Sequence, residues 1–471
     1  MSVKQQVNDI NSALAGLLSE LKELRGTIDS QHAEICSLNR NIDKLLKENR
    51  ELRKRLEKYE KPPKDSGNSS IPPSKEPVKS EMERRTKSLR KKSDKSVGGQ
   101  PGHEGTTRKM VATPDEIENV SSQFCTECGR DLSDVDGVLD YVIQEIDLPP
   151  IKPIYRERRF YKKVCACGCC NRDYAPRKRG GNAITFGKNI RAAATYLSVV
   201  QCMPYERLQS LFETMFNVRV SQGTLANIVR EMLDKSRPAI ELIERLLKES
   251  AVVGFDESGC YVNGKLNWSW IAQTTYLTLV FRGAGRGAKV LEERFGDSLK
   301  NMIAVTDRHS AYFAIDFLNN QICLAHLLRN LEYLNDIDKE QTWARDMQTL
   351  LREAIHLRNE KNADIIPKEN WLTRLDGLLK KNLDNLRKEF NELKRGIIKC
   401  RDYIFNFLEN PSIPSDNNGS ERGIRKLKVK QKISGCFRSD SGADAFHALH
   451  SIADTAWKSG QSPLDAILAL V

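Results

Sequence analysis

Two aspartates follow apolar runs that are typical of buried β-strands. The run Ala251-Val-Val-Gly-Phe leads to Asp256, and Met302-Ile-Ala-Val-Thr leads to Asp307. Carboxylate oxygens are the hard ligands that Mg²⁺ and Mn²⁺ prefer. Two such ions bound side by side can activate an attacking hydroxyl and stabilise the leaving oxygen of a phosphodiester. The pattern predicts a site for two Mg²⁺ (or Mn²⁺) ions, with a third carboxylate still to be supplied.

The third carboxylate is predicted at Glu421, in or near the first turn of a helix. Good helix-capping residues precede it: Ser415, Asp416 and Asn417. Basic side chains follow it along the helix, among them Arg422, Arg425 and Lys428. A positive stripe beside the acids suits contact with DNA phosphates. The alternative is a solvated helix face.

The segments between the acids predict the elements that position them. Residues 265–281 alternate as two strands with a turn near Thr274-Thr275, and a helix-like segment and the strand before Asp307 follow. Strand, hairpin, helix and strand in this order open an RNase H-like α/β core, in which the first and a later strand lie side by side. Residues 331–410 read as long helices, which we interpret as a helical insertion in that core.

A cysteine and a histidine, Cys323 and His326, lie in the segment between the second and third acids. This pair could indicate a metal site. We favour a buried helix that carries an i, i+3 pair, with His326 close to the acids.

Six of the 12 cysteines cluster in two places. The first is Cys125-Thr-Glu-Cys128, and the second is Cys165-Ala-Cys-Gly-Cys-Cys170. Two close pairs of thiolates can surround one structural Zn²⁺ in tetrahedral geometry. We predict Cys125, Cys128, Cys167 and Cys170 as the ligands, with Cys165 and Cys169 as the alternative second pair. The strand-like alternation between the pairs suits a zinc-ribbon-like module, and a disulfide cluster is the other interpretation.

A helix-turn-helix pattern covers residues 204–233. It consists of an amphipathic helix, a turn near Asn217, a cap at Ser221 and a second helix from Gly223. If the second helix entered a major groove, three residues near its start would face bases: Gln222, Thr224 and Asn227. A plain helical hairpin packed on the next domain is the alternative.

Apolar residues keep a seven-residue period from Val7 to Tyr59, in two registers that alternate by three and four. This is the a and d pattern of a coiled coil. Leucine dominates d, and Asn49 lies at an a position, where its amide pairs with its own copy in a parallel dimer. We predict a homodimer through this helix, with an intramolecular hairpin as the alternative.

The composition limits the function classes. The 471 residues hold 75 Lys and Arg against 63 Asp and Glu, a formal net charge of +12. This excess favours a polyanionic partner such as nucleic acid, although basic proteins without one are common. No apolar run is long enough to span a bilayer, and the N-terminus has no cleavable signal, so we expect a cytoplasmic protein with no membrane partner.

These motifs together resemble the TnpC-type transposases of the insertion-sequence-66 family. The resemblance covers nearly the whole length, from the zipper and Asn68-Ser-Ser through Gly98-Gly-Gln-Pro-Gly-His-Glu-Gly105 and the cysteines. It continues through the strands of Asp256 and Asp307 to Asn417-Asn-x-x-Glu421-Arg. The Gly98–Gly105 and Asn417–Arg422 motifs are specific, whereas the zipper and the cysteines are not.

The resemblance implies a bacterial, nucleoid-associated transposase whose substrates are terminal inverted repeats and target DNA. It also implies catalytic roles for Asp256, Asp307 and Glu421, and two small accessory proteins of the same element as possible partners. The hypothesis is metal-dependent cleavage of double-stranded DNA by water, followed by attack of the freed 3′ hydroxyl on the target. The alternative is a catalytically inactive, dimeric DNA-binding protein derived from a transposase.

The predicted fold is a multidomain α+β protein. Its expected parts are a coiled coil (1–60), a basic linker (61–118), a zinc-binding module (119–180), a helical DNA-binding block (181–250), the first part of the RNase H-like core (251–330), a helical insertion (331–410) and the C-terminal part of the core (411–471).

Overall fold

The computed structural model describes residues 3–60, 64, 102, 104, 108–172, 184–361 and 364–471. Packing divides the chain into two units. One comprises Met1–Arg85 and Arg329–Gln348, and the other comprises Thr86–Leu328 and Thr349–Val471. Most of the predicted linker and the end of the predicted zinc module, 173–180, lie outside the described residues. No helix in the described ranges is long and apolar enough to cross a bilayer.

A single helix, α1 (Val3–Glu60), makes up most of the described part of the first unit. It runs for 58 residues, which confirms the uninterrupted helix that the heptads predict. Its apolar seam is exposed in the single chain, with Leu24 59% and Ile28 61% accessible. An exposed seam of this kind is the surface that a second helix covers in a coiled coil.

Residues 108–172, in the second unit, form little regular structure. Strands β1 (Lys163–Val164) and β2 (Cys170–Asn171) pair antiparallel around the second cysteine cluster. The strands predicted between the two clusters do not form, because apolar side chains there stay exposed and build no core; Val138 is 94% accessible.

Three helices form the helical block: α2 (Lys188–Val199), α3 (Tyr205–Phe216) and α4 (Gln222–Lys248). Asn217 ends α3 in the left-handed region at φ 52°. The Ser221 hydroxyl accepts a hydrogen bond from the Thr224 N–H at 3.2 Å and begins α4. The turn and the cap are therefore confirmed where the sequence predicts them.

The second unit is built on a mixed five-stranded sheet in the order β5-β4-β3-β6-β7. The strands are β3 (Val252–Val262), β4 (Lys265–Gln273), β5 (Thr278–Gly283), β6 (Ile303–Thr306) and β7 (Asn319–Ile322). β3, β4 and β5 form an antiparallel meander, and β6 and β7 add to β3 in parallel. This α+β arrangement is consistent with the predicted RNase H-like core.

The fifth strand, β7, is absent from the sequence interpretation because Asn319-Asn-Gln-Ile is mostly polar. Its Gln321 is fully buried. The Gln321 amide donates to the Ile404 carbonyl at 3.0 Å and accepts from the Phe407 N–H at 2.9 Å. Hydrogen bonds to a later segment thus allow a polar side chain inside the sheet.

The described segments between and after the strands are mainly helical. The helices are α5 (Lys289–Phe295), α6 (Ser310–Phe313), α7 (Leu324–Ile337), α8 (Trp343–Lys361), α9 (Glu369–Leu379), α10 (Lys388–Lys399), α11 (Asn406–Glu409), α12 (Asn418–Ser434), α13 (Asp440–Lys458) and α14 (Pro463–Leu468). A 3₁₀ turn, Gly296–Asn301, follows α5.

The two faces of the sheet bury different clusters. One face packs Phe255 and Trp270 against Phe295 of α5. The other packs Ile271 and Val280 against side chains of α12 and α13, including Ile424 and Leu449. Because neighbouring residues of a strand face opposite sides, Asp256 lies on the α12 face and Glu257 on the α5 face.

Candidate active site

Strand register brings the two predicted aspartates to matching positions. The last parallel pair between β3 and β6 joins Gly254 to Val305. Asp256 and Asp307 each follow that pair by two residues. One expectation needs correction: Asp256 is not at a strand end. β3 continues to Val262 because its antiparallel pairing with β4 extends beyond its parallel pairing with β6.

Local hydrogen bonds orient both carboxylates. Asp256 Oδ1 accepts from the Glu257 N–H at 2.8 Å. Asp307 Oδ1 accepts from the His309 N–H at 2.8 Å, as the chain turns into α6. Each carboxylate is thus held against its own backbone.

The electrostatics of Asp256 fit a cation site. Burial, followed by the negative charges of Glu257 and Asp307, raises the pKa of Asp256 to about 8. Lys428 on α12 acts in the opposite direction. Buried carboxylates that repel one another are stabilised as anions by a divalent cation. The donor set is therefore suited to Mg²⁺ or Mn²⁺.

Glu421 lies in the first turn of α12, as the sequence predicts. Its Oε1 is 3.5 Å from His326 Nε2, and its Oε2 is 3.8 Å from Arg425 Nη2. The three predicted acids do not form a group with all ligand oxygens within 4.8 Å. Within the described residues, the group that meets this distance consists of Cys323, His326 and Glu421.

Asn417 fastens the helix of Glu421 to the strand of Asp256. Its side-chain amide donates to the Phe255 carbonyl at 2.6 Å, and its Oδ1 accepts from the Ser420 hydroxyl at 2.6 Å. Its backbone N–H donates to Cys323 Sγ at 3.1 Å. Sequence reasoning treated Asn417 only as a helix cap, although the motif Asn417-Asn-x-x-Glu421 marks it.

Small residues let α12 approach the sheet closely. A Cβ on Gly254 would lie 2.8 Å from Asn417 Oδ1, and a Cβ on Gly419 would lie 2.6 Å from Gln273 Nε2. A Cβ on Gly423 would overlap the Ile271 side chain. The position of Glu421 relative to β3 and β4 therefore depends on glycine at these contacts.

A second buried carboxylate, Glu257, was not assigned a role from the sequence. Its Oε1 accepts from Arg286 Nε at 2.7 Å, and its Oε2 accepts from the Tyr312 hydroxyl. The Arg286 guanidinium also lies 5.1 Å from the centre of the Trp268 ring. Burial, then the charges of Glu257 and Asp256, raise the pKa of Tyr312 well above its usual value, so the phenol remains a donor. This network supports β3 beside Asp256.

The basic residues after Glu421 point away from the core. Arg422, Arg425 and Lys428 are exposed on α12. The positive charge of Lys428 lowers the pKa of Asp256 slightly, against the larger effect of burial. Both interpretations from the sequence, DNA contact and a solvated face, fit this exposure.

Comparison with known families decides the relationship. The sequence profile described as the transposase IS66 family matches residues 183–445, more than half of the 471 residues. The chain belongs to the IS66 transposase family. It therefore carries a DDE-type transposase domain, a polynucleotidyl transferase. The match includes Asp256, Asp307 and Glu421.

A second profile, a family of unknown function (DUF6444), matches residues 19–109. It covers most of α1 and the basic segment that follows. The Asn68 and Gly98–Gly105 motifs fall in this range, and most of their residues lie outside those that the structure describes. No curated protein matches the chain.

The first cysteine pair of this IS66 transposase lies in a tight turn. The Gly129 N–H donates to the Cys125 carbonyl at 2.9 Å, and Gly129 has a φ of 69°. Hydrogen bonds from the backbone of Cys128 and Glu127 lower the pKa of Cys125. A thiol that deprotonates readily is suited to Zn²⁺.

The second cluster forms a similar turn. The Gly168 N–H donates to the Cys165 carbonyl at 2.8 Å, and the Cys165 N–H donates to the Cys169 carbonyl at 2.9 Å. The pKa of Cys167 is lowered, and the largest cause is a hydrogen bond from the Cys169 backbone. Cys170 begins β2. The two turns do not form one close group of ligands in the described residues, so the zinc set stays a prediction.

The predicted base-reading residues occupy the start of α4. Gln222 and Asn227 are exposed, and Thr224 is half-buried beside its hydrogen bond to Ser221. On the other side of the helix, Leu225 is completely buried. The helix therefore presents a polar face that is free of core packing, while its role in DNA binding stays a prediction.

Proposed function

We propose that this transposase cleaves the ends of its element and joins them to target DNA, with Asp256, Asp307 and Glu421 as ligands of two Mg²⁺ or Mn²⁺ ions. The observation that carries this proposal is the matching position of the two aspartates beside the Gly254–Val305 pair. Ions bound there would activate the attacking oxygen and stabilise the leaving one.

Asn417 supports the inclusion of Glu421. Its bond to the Phe255 carbonyl connects the first turn of α12 to the residue next to Asp256. The three acids thus come from β3, from the turn directly after β6 and from a helix that packs on the sheet, the arrangement expected of an RNase H-like core. A bound cation and a phosphate would draw these carboxylates closer together.

The attacking groups in this proposal come from water and DNA. Water attacks first and frees a 3′ hydroxyl, and that hydroxyl then attacks the target strand. No protein side chain forms a bond to DNA, so neither a serine nor a tyrosine nucleophile is required. Arg422, Arg425 and Lys428 would contact the phosphates that flank the cleaved bond.

Recognition of the terminal inverted repeats is assigned to the helical block. The exposed Gln222 and Asn227, with Thr224 between them, would read base edges from the start of α4. The basic linker and the cysteine module, with Zn²⁺ bound by Cys125, Cys128, Cys167 and Cys170 or by the alternative pair, would add phosphate contacts. The α1 helix would join two protomers, so that two ends are held together.

Cleavage of DNA that carries the element's own ends tests the proposal. The purified chain is incubated with labelled DNA in Mg²⁺ and in EDTA, beside Asp256→Asn, Asp307→Asn and Glu421→Gln. Exposed acids on α5 and in the 3₁₀ turn after it provide matched controls, Glu293→Gln and Asp297→Asn. A mobility shift assay measures DNA binding for every variant.

The expected result is Mg²⁺-dependent nicking at the element's end, lost in the three site variants and kept in both controls, with DNA binding unchanged. Full cleavage by any one site variant would remove that residue from the triad. If the wild-type chain binds the ends but never cuts them, even with the element's accessory proteins present, the chain is an inactive DNA-binding relative.

A further inference from the structure

A cysteine, a histidine and a glutamate lie close together where α7 and α12 begin. Cys323 lies directly between β7 and α7, His326 lies in the first turn of α7, and Glu421 lies in the first turn of α12. One ligand atom from each, Sγ, a ring nitrogen and a carboxylate oxygen, lie within 4.8 Å of one another. The sequence interpretation placed His326 close to the acids, and its ring lies 3.5 Å from Glu421, but that interpretation favoured a buried pair without a metal.

We propose that Cys323, His326 and Glu421 bind a thiophilic divalent cation such as Zn²⁺. Sulfur and imidazole nitrogen are donors that Zn²⁺ accepts readily and that Mg²⁺ avoids. Tetrahedral zinc ligands lie roughly 3.3–3.6 Å apart, given Zn–N and Zn–S distances of about 2.0 and 2.3 Å. The 3.5 Å between His326 Nε2 and Glu421 Oε1 matches that spacing.

Burial raises the pKa of the Cys323 thiol to about 12, so the thiol is protonated until a metal binds, and backbone hydrogen bonds to Sγ act against that shift. Its side chain is completely buried. The backbone N–H groups of Asn417 and His326 both donate to Sγ, the first at 3.1 Å. Hydrogen bonds from the backbone commonly orient and stabilise a metal's sulfur ligand. Binding would release one proton from the thiol, because the ligand is the thiolate.

Glu421 and His326 provide the access route. Both side chains are 17% exposed, whereas Cys323 is enclosed. An ion would therefore reach Cys323 past these two side chains. Three protein ligands leave a fourth position for water or a phosphate oxygen.

The site shares Glu421 with the proposed magnesium set, and this consequence rests on the proposed function. Zn²⁺ bound by Cys323 and His326 would withdraw Glu421 from Mg²⁺. Zn²⁺ is then expected to inhibit Mg²⁺-dependent cleavage. This inhibition should be weaker in variants that lack Cys323 or His326.

Metal binding by the full chain, without DNA, tests the site independently of catalysis. Metal-free wild-type protein is dialysed against Zn²⁺, and then against Co²⁺, whose thiolate complexes absorb in the near ultraviolet. Cys323→Ser and His326→Gln are compared with wild type. Cys400→Ser is the matched control, a buried cysteine whose thiol donates to the Gly396 carbonyl at 3.3 Å. The cysteine module is present in every protein and cancels from the comparison.

The expected result is one ion fewer per chain in Cys323→Ser than in wild type and Cys400→Ser, with a smaller Co²⁺–thiolate absorption. His326→Gln should weaken that one site at least tenfold. Equal stoichiometry and affinity in wild type, Cys323→Ser and His326→Gln would overturn the proposal. Thermal unfolding checks each variant, and the half-buried His326→Gln decides the matter if Cys323→Ser does not fold.

A second measurement follows the ratio of cleavage rates with and without Zn²⁺ in each protein. If Zn²⁺ inhibits cleavage by Cys323→Ser and His326→Gln at least tenfold less than it inhibits wild type, the shared use of Glu421 is supported. An unchanged ratio overturns the inhibitory role. If no protein cleaves DNA, the proposed function fails while the dialysis result still decides the zinc site.

Discussion

Asp256 and Asp307 lie at matching positions beyond the parallel pairing of β3 with β6, each two residues after the Gly254–Val305 pair. Asp256 is held inside a strand, because β3 stays paired with β4 as far as Val262. Asp307 is instead held by a turn, in which its carboxylate accepts the His309 N–H. One acid is thus fixed by the sheet and the other by the loop that leaves it.

Asn417→Ala should detach α12 from β3. The substitution removes two side-chain hydrogen bonds and leaves the buried Phe255 carbonyl and Ser420 hydroxyl without them. We expect a loss of about 2–4 kcal/mol in the free energy of unfolding, and a fall in cleavage. Urea denaturation measures the first. Asn382→Ala, at an exposed turn, is the control and should change stability little; equal effects of the two variants would contradict the role of Asn417.

Gly423→Ala should force α12 away from the sheet. The new methyl group would overlap the Ile271 side chain in a packed core, at a cost of about 1–3 kcal/mol. Combining it with Ile271→Val should recover part of the loss. Gly377→Ala in α9 meets open space and should instead gain up to about 1 kcal/mol, since alanine favours helix. Urea midpoints of the four proteins test this, and identical effects at Gly423 and Gly377 would refute the close approach.

His447 and His450 should make the fold sensitive to acid. Burial lowers the pKa of His447 from 6.5 to about 3 and lowers that of His450 as well. As the pH decreases, the unfolded chain therefore binds protons at these histidines before the folded chain does. The free energy of unfolding falls as the pH drops below 6.5 towards 3. His447 contributes up to about 1.4 kcal/mol per pH unit in that window, and His450 acts in the same direction.

The difference between variants isolates this effect, because other groups titrate in the same range. His447→Asn should show a shallower loss of stability between pH 6.5 and 4.5 than wild type. His356→Asn, at an exposed position on α8, should show the wild-type slope. The slope is obtained from urea denaturation at several pH values. A wild-type slope in His447→Asn would mean that this histidine titrates alike in the folded and unfolded chains, which would contradict the lowered pKa.

The coiled-coil interpretation predicts a position-specific loss of dimer. Leu24 and Leu38 lie at d positions, whereas Leu18 and Leu46 do not, although all four are 52–59% exposed in the single chain. Leu24→Lys with Leu38→Lys should yield monomers, because charges would lie in the buried seam. Leu18→Lys with Leu46→Lys should remain dimeric. Sedimentation equilibrium measures the mass of each double variant. The same oligomeric state in both would argue against the heptad seam.

The sequence by itself determined the local elements. The period of seven in α1, the Ser221 cap, the turn before β5 and the placement of Glu421 in the first turn of α12 all depend on short-range preferences. Such preferences act over a few residues, so they can be read without knowing what lies nearby. The same preferences predicted the strands before Asp256 and Asp307 and the helix that carries Glu421.

Only the tertiary structure decided which of these residues meet. The polar strand β7 forms because Gln321 bonds to Ile404 and Phe407, which are distant in the sequence. Glu257 acquires its role from Arg286 and Tyr312 in the same way. Contacts of this kind depend on strand register and helix approach, which arise from the packing of the whole core rather than from any local pattern.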